Sequence, residues 1–448
     1  MLRLYKSYLN KLDQITLVLF VLISFSFNTY YKFTIPFIIF FGFFQFYRVI
    51  KNKISIILVL ELYFYLLIYA LIFFRSVHTL ILAFNLIFHI YCFLNKKNIK
   101  VKIQFKIETL VLIFFLLIIL NQILFKPYLA TIETYLYIFL YPALFYFIKK
   151  NKITLSKEKS LLTFIFSVVI ACLLLIVTNL YHGTLGFKTN TYFAEYLDLS
   201  HVYFGVFLGT ACSFIFMLLD KNNKRLSNKV AVLLLFFFVF LMIYSGGRMA
   251  LIATLVILGV FLFKKIKLLW YIKSFISIIV VVTLMFVSYN FIPRAKQDVH
   301  YINKVYQSVK TNNKEDIIQN SWRNMYQRFL VTKYTLEEIK NNIALGIGLV
   351  NVKKQLGKKI HSDGYKYFEV INPHNQYLHF WLGMGVFILI YFLFMISAFL
   401  KMQISKPYFL MFFILILFTE SILVRVKGIS VFFLFSILLS FKNKLIDD

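Results

Sequence analysis

Apolar residues run along this chain in long unbroken stretches, each about the length that crosses a hydrocarbon layer as a helix. About fourteen stretches begin near residues 14, 33, 54, 77, 108, 128, 160, 200, 229, 249, 268, 377, 407 and 428. Those near 33 and 128 are the least sharply defined, and each also reads as a re-entrant or interfacial helix. Continuous runs argue against a β-barrel, whose strands alternate. The pattern predicts an all-α fold, a polytopic integral membrane helical bundle of about 12–14 transmembrane helices that forms one membrane domain over residues 1–448. Two polar connections are long, residues 182–199 and 291–376. Within the second, Trp322, Met325, Tyr326, Phe329 and Leu330 recur at helical spacing. They predict an amphipathic helix from an N-cap at Ser321 to about Asn341, lying on the membrane face or capping the bundle.

Charge orients this pattern. Lysine and arginine gather in alternate connections: Arg48 to Lys53, Lys96 to Lys106, Lys149 to Lys159, Lys221 to Lys229, Lys264 to Lys267, Lys401 to Lys406, and Lys442 with Lys444. By the positive-inside rule both termini lie in the cytoplasm, and 182–199 and 291–376 face outward. The second loop carries fourteen Lys and Arg of its own, which long loops tolerate on the translocated side. The net charge of +31 therefore follows topology and membrane lipids, with no nucleic-acid partner implied. Cys92, Cys172 and Cys212 all fall in apolar segments and read as packing residues, without a disulfide or metal framework. The basic stretch from Met1 to Lys11 leads into an apolar segment without a small-residue cleavage site, so no cleaved signal is expected.

Two polar constellations interrupt the apolar pattern. Ser245-Gly246-Gly247-Arg248 joins two apolar segments almost without a loop, which places Arg248 in the first turn of the second. A cation there opposes the helix dipole and is costly near hydrocarbon, roughly 2.5–3.5 kcal/mol at a helix centre. A phosphate held by Arg248 and the N–H groups of Gly246 and Gly247 resolves both problems; an arginine snorkelling to the headgroups is the other reading. Asn372-Pro373-His374-Asn375-Gln376-Tyr377-Leu378 sets a histidine where the long loop re-enters an apolar segment. Asn372 as cap and Pro373 in first position put His374 and Asn375 in the first helical turn. The positive helix end disfavours imidazolium, and a neutral imidazole can act as general base; an interfacial histidine bonded to a neighbour is the alternative. Arg323 is a second candidate anion clamp or a solvated helix residue. Glu420 and Arg425 read as an ion pair fixing helix positions. Glu195, Asp198 and His201 end another helix, where they touch an acceptor or belong to a polar loop.

Other chemistry is missing. There is no Asp-X-Asp for a divalent metal, no Walker A loop, no zinc cluster and no Gly-X-Ser-X-Gly nucleophile. No metal or cofactor is expected. An extracytoplasmic enzyme without ATP must draw on an activated substrate, and a lipid-linked diphosphate glycan is membrane-bound, anionic and energy-rich.

Four motifs in order carry a family resemblance over roughly residues 200–440. Ser245-Gly246-Gly247-Arg248-Met249-Ala250 resembles the Ser-Arg-Gly/Ala signature of the O-antigen ligase and polymerase superfamily. Ser321-Trp322-Arg323 through Ala344-Leu345-Gly346-Ile347-Gly348 resembles its Arg … Pro-Leu-Gly-X-Gly stretch. His374-Asn375-Gln376-Tyr377-Leu378 followed by Leu382-Gly383-Met384-Gly385 resembles its His-Asn-X-Tyr-Leu … Gly-X-Gly motif. Glu420-Ser421 through Gly428 and Phe432 resembles its closing segment. Gly247 stands between Ser245 and Arg248 where the family often has Ser directly before Arg, and Ala344 replaces a proline.

The resemblance implies a metal-independent inverting glycosyltransferase of the bacterial inner membrane. Arg248 and Arg323 would hold an undecaprenyl-diphosphate-linked glycan donor. His374 would deprotonate an acceptor hydroxyl on a glycan or lipid A-core. Asn375, Gly246, Gly247, Glu420, Arg425 and His201 would support the site. Ligase, repeat-unit polymerase and protein O-oligosaccharyltransferase all fit these motifs. A polysaccharide flippase fits less well, because deep charges are few (Glu61 stands out) and the polar residues gather on one side after residue 180. A purely structural membrane scaffold leaves His374 and Arg248 unexplained.

Overall fold

The computed structural model describes residues 31–51, 55–73, 75–95, 107–125, 129–186, 191–220, 226–265, 293–311, 314–320, 324–365, 371–404 and 406–441. Among these residues it is all-helical. In chain order the apolar helices are α1 (Tyr31–Ile50), α2 (Ile56–Ala70), α3 (Arg75–Asn95), α4 (Ile107–Leu124), α5 (Leu129–Lys150), α6 (Lys157–Tyr181), α7 (His201–Asp220), α8 (Asn228–Ser245) and α9 (Arg248–Lys265). After the long connection come α14 (Gln376–Met402), α15 (Tyr408–Thr419) and α16 (Val426–Ser440). Six helices, α3, α4, α6, α7, α8 and α14, are long and apolar enough to cross a membrane. The stretches expected near 33 and 128 form full helices, α1 and α5. Those expected near 14 and 268 lie outside the described residues.

The long connection is itself helical: α10 (Pro293–Lys310), α11 (Lys314–Asn320), α12 (Asn324–Asn341) and α13 (Val352–Ser362). It has its own apolar core, in which Tyr326, Leu330 and Val331 of α12 meet Val352, Leu356 and Ile360 of α13. Both helices pack on α14, so the predicted amphipathic helix caps the bundle. Its described portion starts at Asn324, and the expected cap Ser321 lies outside the described residues. Asp316 stitches α10 to α12, accepting hydrogen bonds from Ser308 and from the Tyr326 hydroxyl at 2.8 Å. The Ser308 and Tyr326 donors hold its carboxyl below the usual aspartate range.

In the bundle, α7 and α16 are buried almost all round. Small residues let neighbours approach α7 closely, as in other helix crossings within membranes. A Cβ built on Gly205 would lie 2.9 Å from the Ala250 Cβ of α9, and one on Gly209 would lie 2.2 Å from the Phe412 ring of α15. The bundle has two distinct ends. At one end Lys264 pairs with Asp220 at 2.7 Å, and Lys157 donates to the Phe441 carbonyl. At the other, α7, α9, α14 and α16 begin, and the long connection sits. The three cysteines are buried and unbridged, as expected.

Candidate functional site

Gly385 breaks α14. Its φ of 82° and ψ of 173° lie in a region that essentially only glycine occupies. The break frees backbone groups that the helix would otherwise pair, and the loop following α12 takes them. Ile347 N–H donates to the Leu382 carbonyl at 2.8 Å, Gly348 N–H to the Gly383 carbonyl at 2.9 Å, and Val386 N–H to the Ile343 carbonyl at 2.9 Å. The Gly-X-Gly segments at 346–348 and 383–385 are thus one joint. Side chains cannot enter it: a Cβ on Gly346 would meet the Leu382 oxygen at 2.6 Å, and one on Gly385 the Ala344 oxygen at 1.9 Å. Asn121, buried on α4, closes the joint. Its side chain donates to the Gly383 carbonyl at 3.2 Å and accepts from the Leu349 N–H at 3.3 Å. Asn121→Leu strands the Leu349 N–H, while the Gly383 carbonyl keeps the Gly348 N–H, and is expected to cost about 1–3 kcal/mol, the desolvation of one buried donor. The thermal midpoint of the full chain checks this.

The joint fixes the start of α14. The helix begins at Gln376 with Asn375 as N-cap, its side chain accepting from Leu378 N–H at 3.0 Å and donating to the Phe418 carbonyl at 2.9 Å. The helix therefore starts later than Asn372 and Pro373 suggested, because Asn375 supplies the cap. His374 lies one residue outside the helix in a left-handed conformation, φ 51°. A residue outside the cap is not held by the helix dipole, so another group sets the ring. That group is Glu420, whose carboxylate lies 3.4 Å from His374 Nδ1.

Glu420 follows the last turn of α15, nearly buried, with 9% of its side chain exposed against 35% for His374. Burial favours its protonated form, but the His374 ring and the Arg328 guanidinium outweigh that and hold the carboxyl below its ordinary range. Arg328 of α12 contacts it at 2.5 Å and also donates to the Thr419 carbonyl at 3.1 Å. An ionised carboxylate only accepts, so His374 Nδ1 donates to it, which in a neutral ring leaves Nε2 as the acceptor. The expected Glu420–Arg425 ion pair does not form. Arg425 is extended at the N-cap of α16 and turns away, its guanidinium 5.3 Å from the centre of the Tyr203 ring. Arg328, missed in the sequence, is the cation that Glu420 takes. The signal was the buried acid itself, which requires a cation that its own turn does not provide.

Arg248 opens α9, as expected from the loop-free hinge. The glycines before it serve the backbone. Gly246 (φ 75°) and Gly247 turn their N–H groups back to the carbonyls of Ile243, at 3.2 Å, and Met242, at 2.9 Å, which closes α8. They are therefore not free to bind a phosphate in the way the sequence suggested. Gly247 also lies against α7: a Cβ on it would sit 3.3 Å from Gly205 Cα and 3.5 Å from the His201 oxygen. Tyr203, one residue beyond Val202 on this wall, donates to the Ile422 carbonyl at 3.0 Å. The hinge of Arg248, the start of α7 with His201, and the 420–425 turn are thereby brought to the same end of the bundle as His374. Arg323 lies outside the described residues.

The helical bundle and its apolar spans define a multi-pass membrane protein. Residues 231–393 match the family model described as O-antigen ligase. This match covers the hinge, the long connection and most of α14, so that part of the chain is similar to the O-antigen ligase family. No curated protein matches the chain.

Proposed function

We propose that this chain is a glycosyltransferase of the bacterial inner membrane that moves an undecaprenyl-diphosphate-linked glycan to an acceptor hydroxyl on the extracytoplasmic face, as an O-antigen ligase does. The observation that carries the reading is the His374–Glu420 pair. Glu420 orients a half-exposed imidazole with its basic nitrogen away from the carboxylate, at a junction between a helical cap and the membrane bundle. His374 Nε2 takes the proton of the acceptor hydroxyl. The oxygen attacks the anomeric carbon and inverts it, the bond from that carbon to the diphosphate oxygen breaks, and the diphosphate leaves with its electrons. Arg248 and Arg323 neutralise the charge that develops on it, so this reading needs no metal.

The charge distribution supports the orientation. The lysine-rich end of the bundle, with Lys157 and Lys264, lies opposite the end carrying His374, as expected for cytoplasmic termini and an outer site.

Full-length protein in proteoliposomes, supplied with an undecaprenyl-diphosphate glycan and a chelator, tests the reading. A lipid A-core acceptor is expected to shift as a single band. A ladder of repeat lengths identifies a polymerase, and transfer to Ser or Thr of a peptide a protein O-oligosaccharyltransferase. Absence of transfer to any of these acceptors contradicts the proposal.

A further inference from the structure

The break at Gly385 bends the first arm of α14 over toward the second. The Phe392 ring lies 6.3 Å from the Tyr377 ring and 4.9 Å from the Phe380 ring, whereas one straight helix would hold Tyr377 and Phe392 roughly 22 Å apart. Phe114 of α4 touches both arms, its ring 5.8 Å from Phe380 and 5.3 Å from Phe392. Residues 376–384 are thus a short arm, and His374 sits just beyond its tip. The Tyr377 ring also packs against Phe418 of α15, with centres 4.7 Å apart. The tip therefore meets the turn that joins α15 to α16.

Three successive residues of the tip grip that turn. Asn375 donates to the Phe418 carbonyl at 2.9 Å, His374 meets Glu420 at 3.4 Å, and Gln376 Oε1 accepts from the Leu423 N–H at 2.8 Å. Gln376 and Leu423 are both buried. A backbone N–H only donates, so the amide oxygen of Gln376 must face it. The far side of the turn is held as well. Tyr203 donates to the Ile422 carbonyl at 3.0 Å, and Gly428 leaves no room for a side chain beside that oxygen. The His374–Glu420 contact is long for a hydrogen bond, so a small shift of the turn breaks it. An apolar side chain at 376 would strand the buried Leu423 N–H and drive such a shift.

We propose that Gln376 is a positioning residue of the transfer reaction. By holding Leu423 it sets the distance between Glu420 and His374, and with it the tautomer of the imidazole. It acts through Glu420 and not on the reacting atoms. The role in transfer rests on the reading above; the alignment of the ring does not.

Gln376→Met keeps the length of the side chain and removes the acceptor. In full-length protein in proteoliposomes, single-turnover transfer is expected to fall about tenfold, the worth of one hydrogen bond, with donor affinity unchanged. In a Glu420→Ala background the same change should cost less than about twofold, because the group it aligns is gone. Imidazole nitrogen NMR of histidine-labelled protein at alkaline pH reads the tautomer without any transfer, the His374 signals being those lost in His374→Ala. The wild type should carry its proton on Nδ1, and Gln376→Met should show a mixture of both tautomers. Gln376→Asn keeps the amide but draws its oxygen back by one methylene. It should give the same mixture, and it replaces Gln376→Met if that variant does not fold. A single Nδ1–H tautomer in these variants, or a tenfold loss undiminished by Glu420→Ala, overturns the proposal. A tautomer mixture in Gln376→Met, found where the wild type transfers no glycan, upholds the alignment of the ring and removes only the transfer reading.

Discussion

Gly385→Ala is expected to destabilise the full-length protein by about 3 kcal/mol or more. Two costs combine. The backbone at this position has φ 82° and ψ 173°, and a residue with a Cβ held there costs on the order of 1–3 kcal/mol. The new methyl group would then stand 1.9 Å from the Ala344 oxygen, and the displacement needed to clear it adds about 1–3 kcal/mol by analogy with overpacked cores. Displacement also pulls apart the backbone hydrogen bonds between 343–348 and 382–386. The loss should therefore be local before it is global: the 343–349 segment becomes a site of proteolysis, and the thermal midpoint falls. Gly259, whose surroundings leave room for a Cβ, is the control, because alanine there favours the helix by about 1 kcal/mol. An unchanged midpoint and unchanged proteolysis in Gly385→Ala contradict the joint.

The same joint shows where sequence reading reaches its limit. Twelve described apolar helices begin within three residues of the expected positions, because burial in lipid demands long apolar runs and polar residues end them. The hinge before Arg248 was equally visible, since two glycines and no loop leave the next helix only one starting point. The break in α14 was not, because apolar residues continue without interruption across Gly385. Glycine spacing marked both Gly-X-Gly segments, but nothing local says that they pair with each other. Asn121 was hidden for a related reason: it and its neighbour Gln122 interrupt the apolar run without a periodic signature, and the two partners of Asn121 are more than two hundred residues away.

At the site, sequence proximity misled. Arg425 is the cation nearest to Glu420 along the chain, yet the extended backbone at the α16 N-cap points it to Tyr203. Arg328 reaches Glu420 from α12 because the loop core seats that helix on the bundle. For His374 the structure gives a different neighbour from the one read in the sequence. The helix end was expected to keep the imidazole neutral; the structure instead places it outside the cap and gives it a carboxylate partner. In the proposed reaction that partner has the larger part. It would fix which nitrogen bears the proton and would steady an imidazolium formed during transfer, as acids paired with histidine bases do in other enzymes.

The second large effect follows from that pairing. His374→Ala removes the proton acceptor and leaves the Glu420–Arg328 ion pair and the capped start of α14 in place. Transfer is expected to fall by about 10²–10⁴-fold, the usual worth of a positioned general base. Binding of the lipid-diphosphate donor should persist, because its charges are met by arginines elsewhere in the site. The most direct test of the account is therefore single-turnover transfer from an undecaprenyl-diphosphate glycan in proteoliposomes, with donor binding measured on the same preparation. The account predicts that His374→Ala binds donor and does not transfer it. Turnover like that of the wild type in His374→Ala would contradict it.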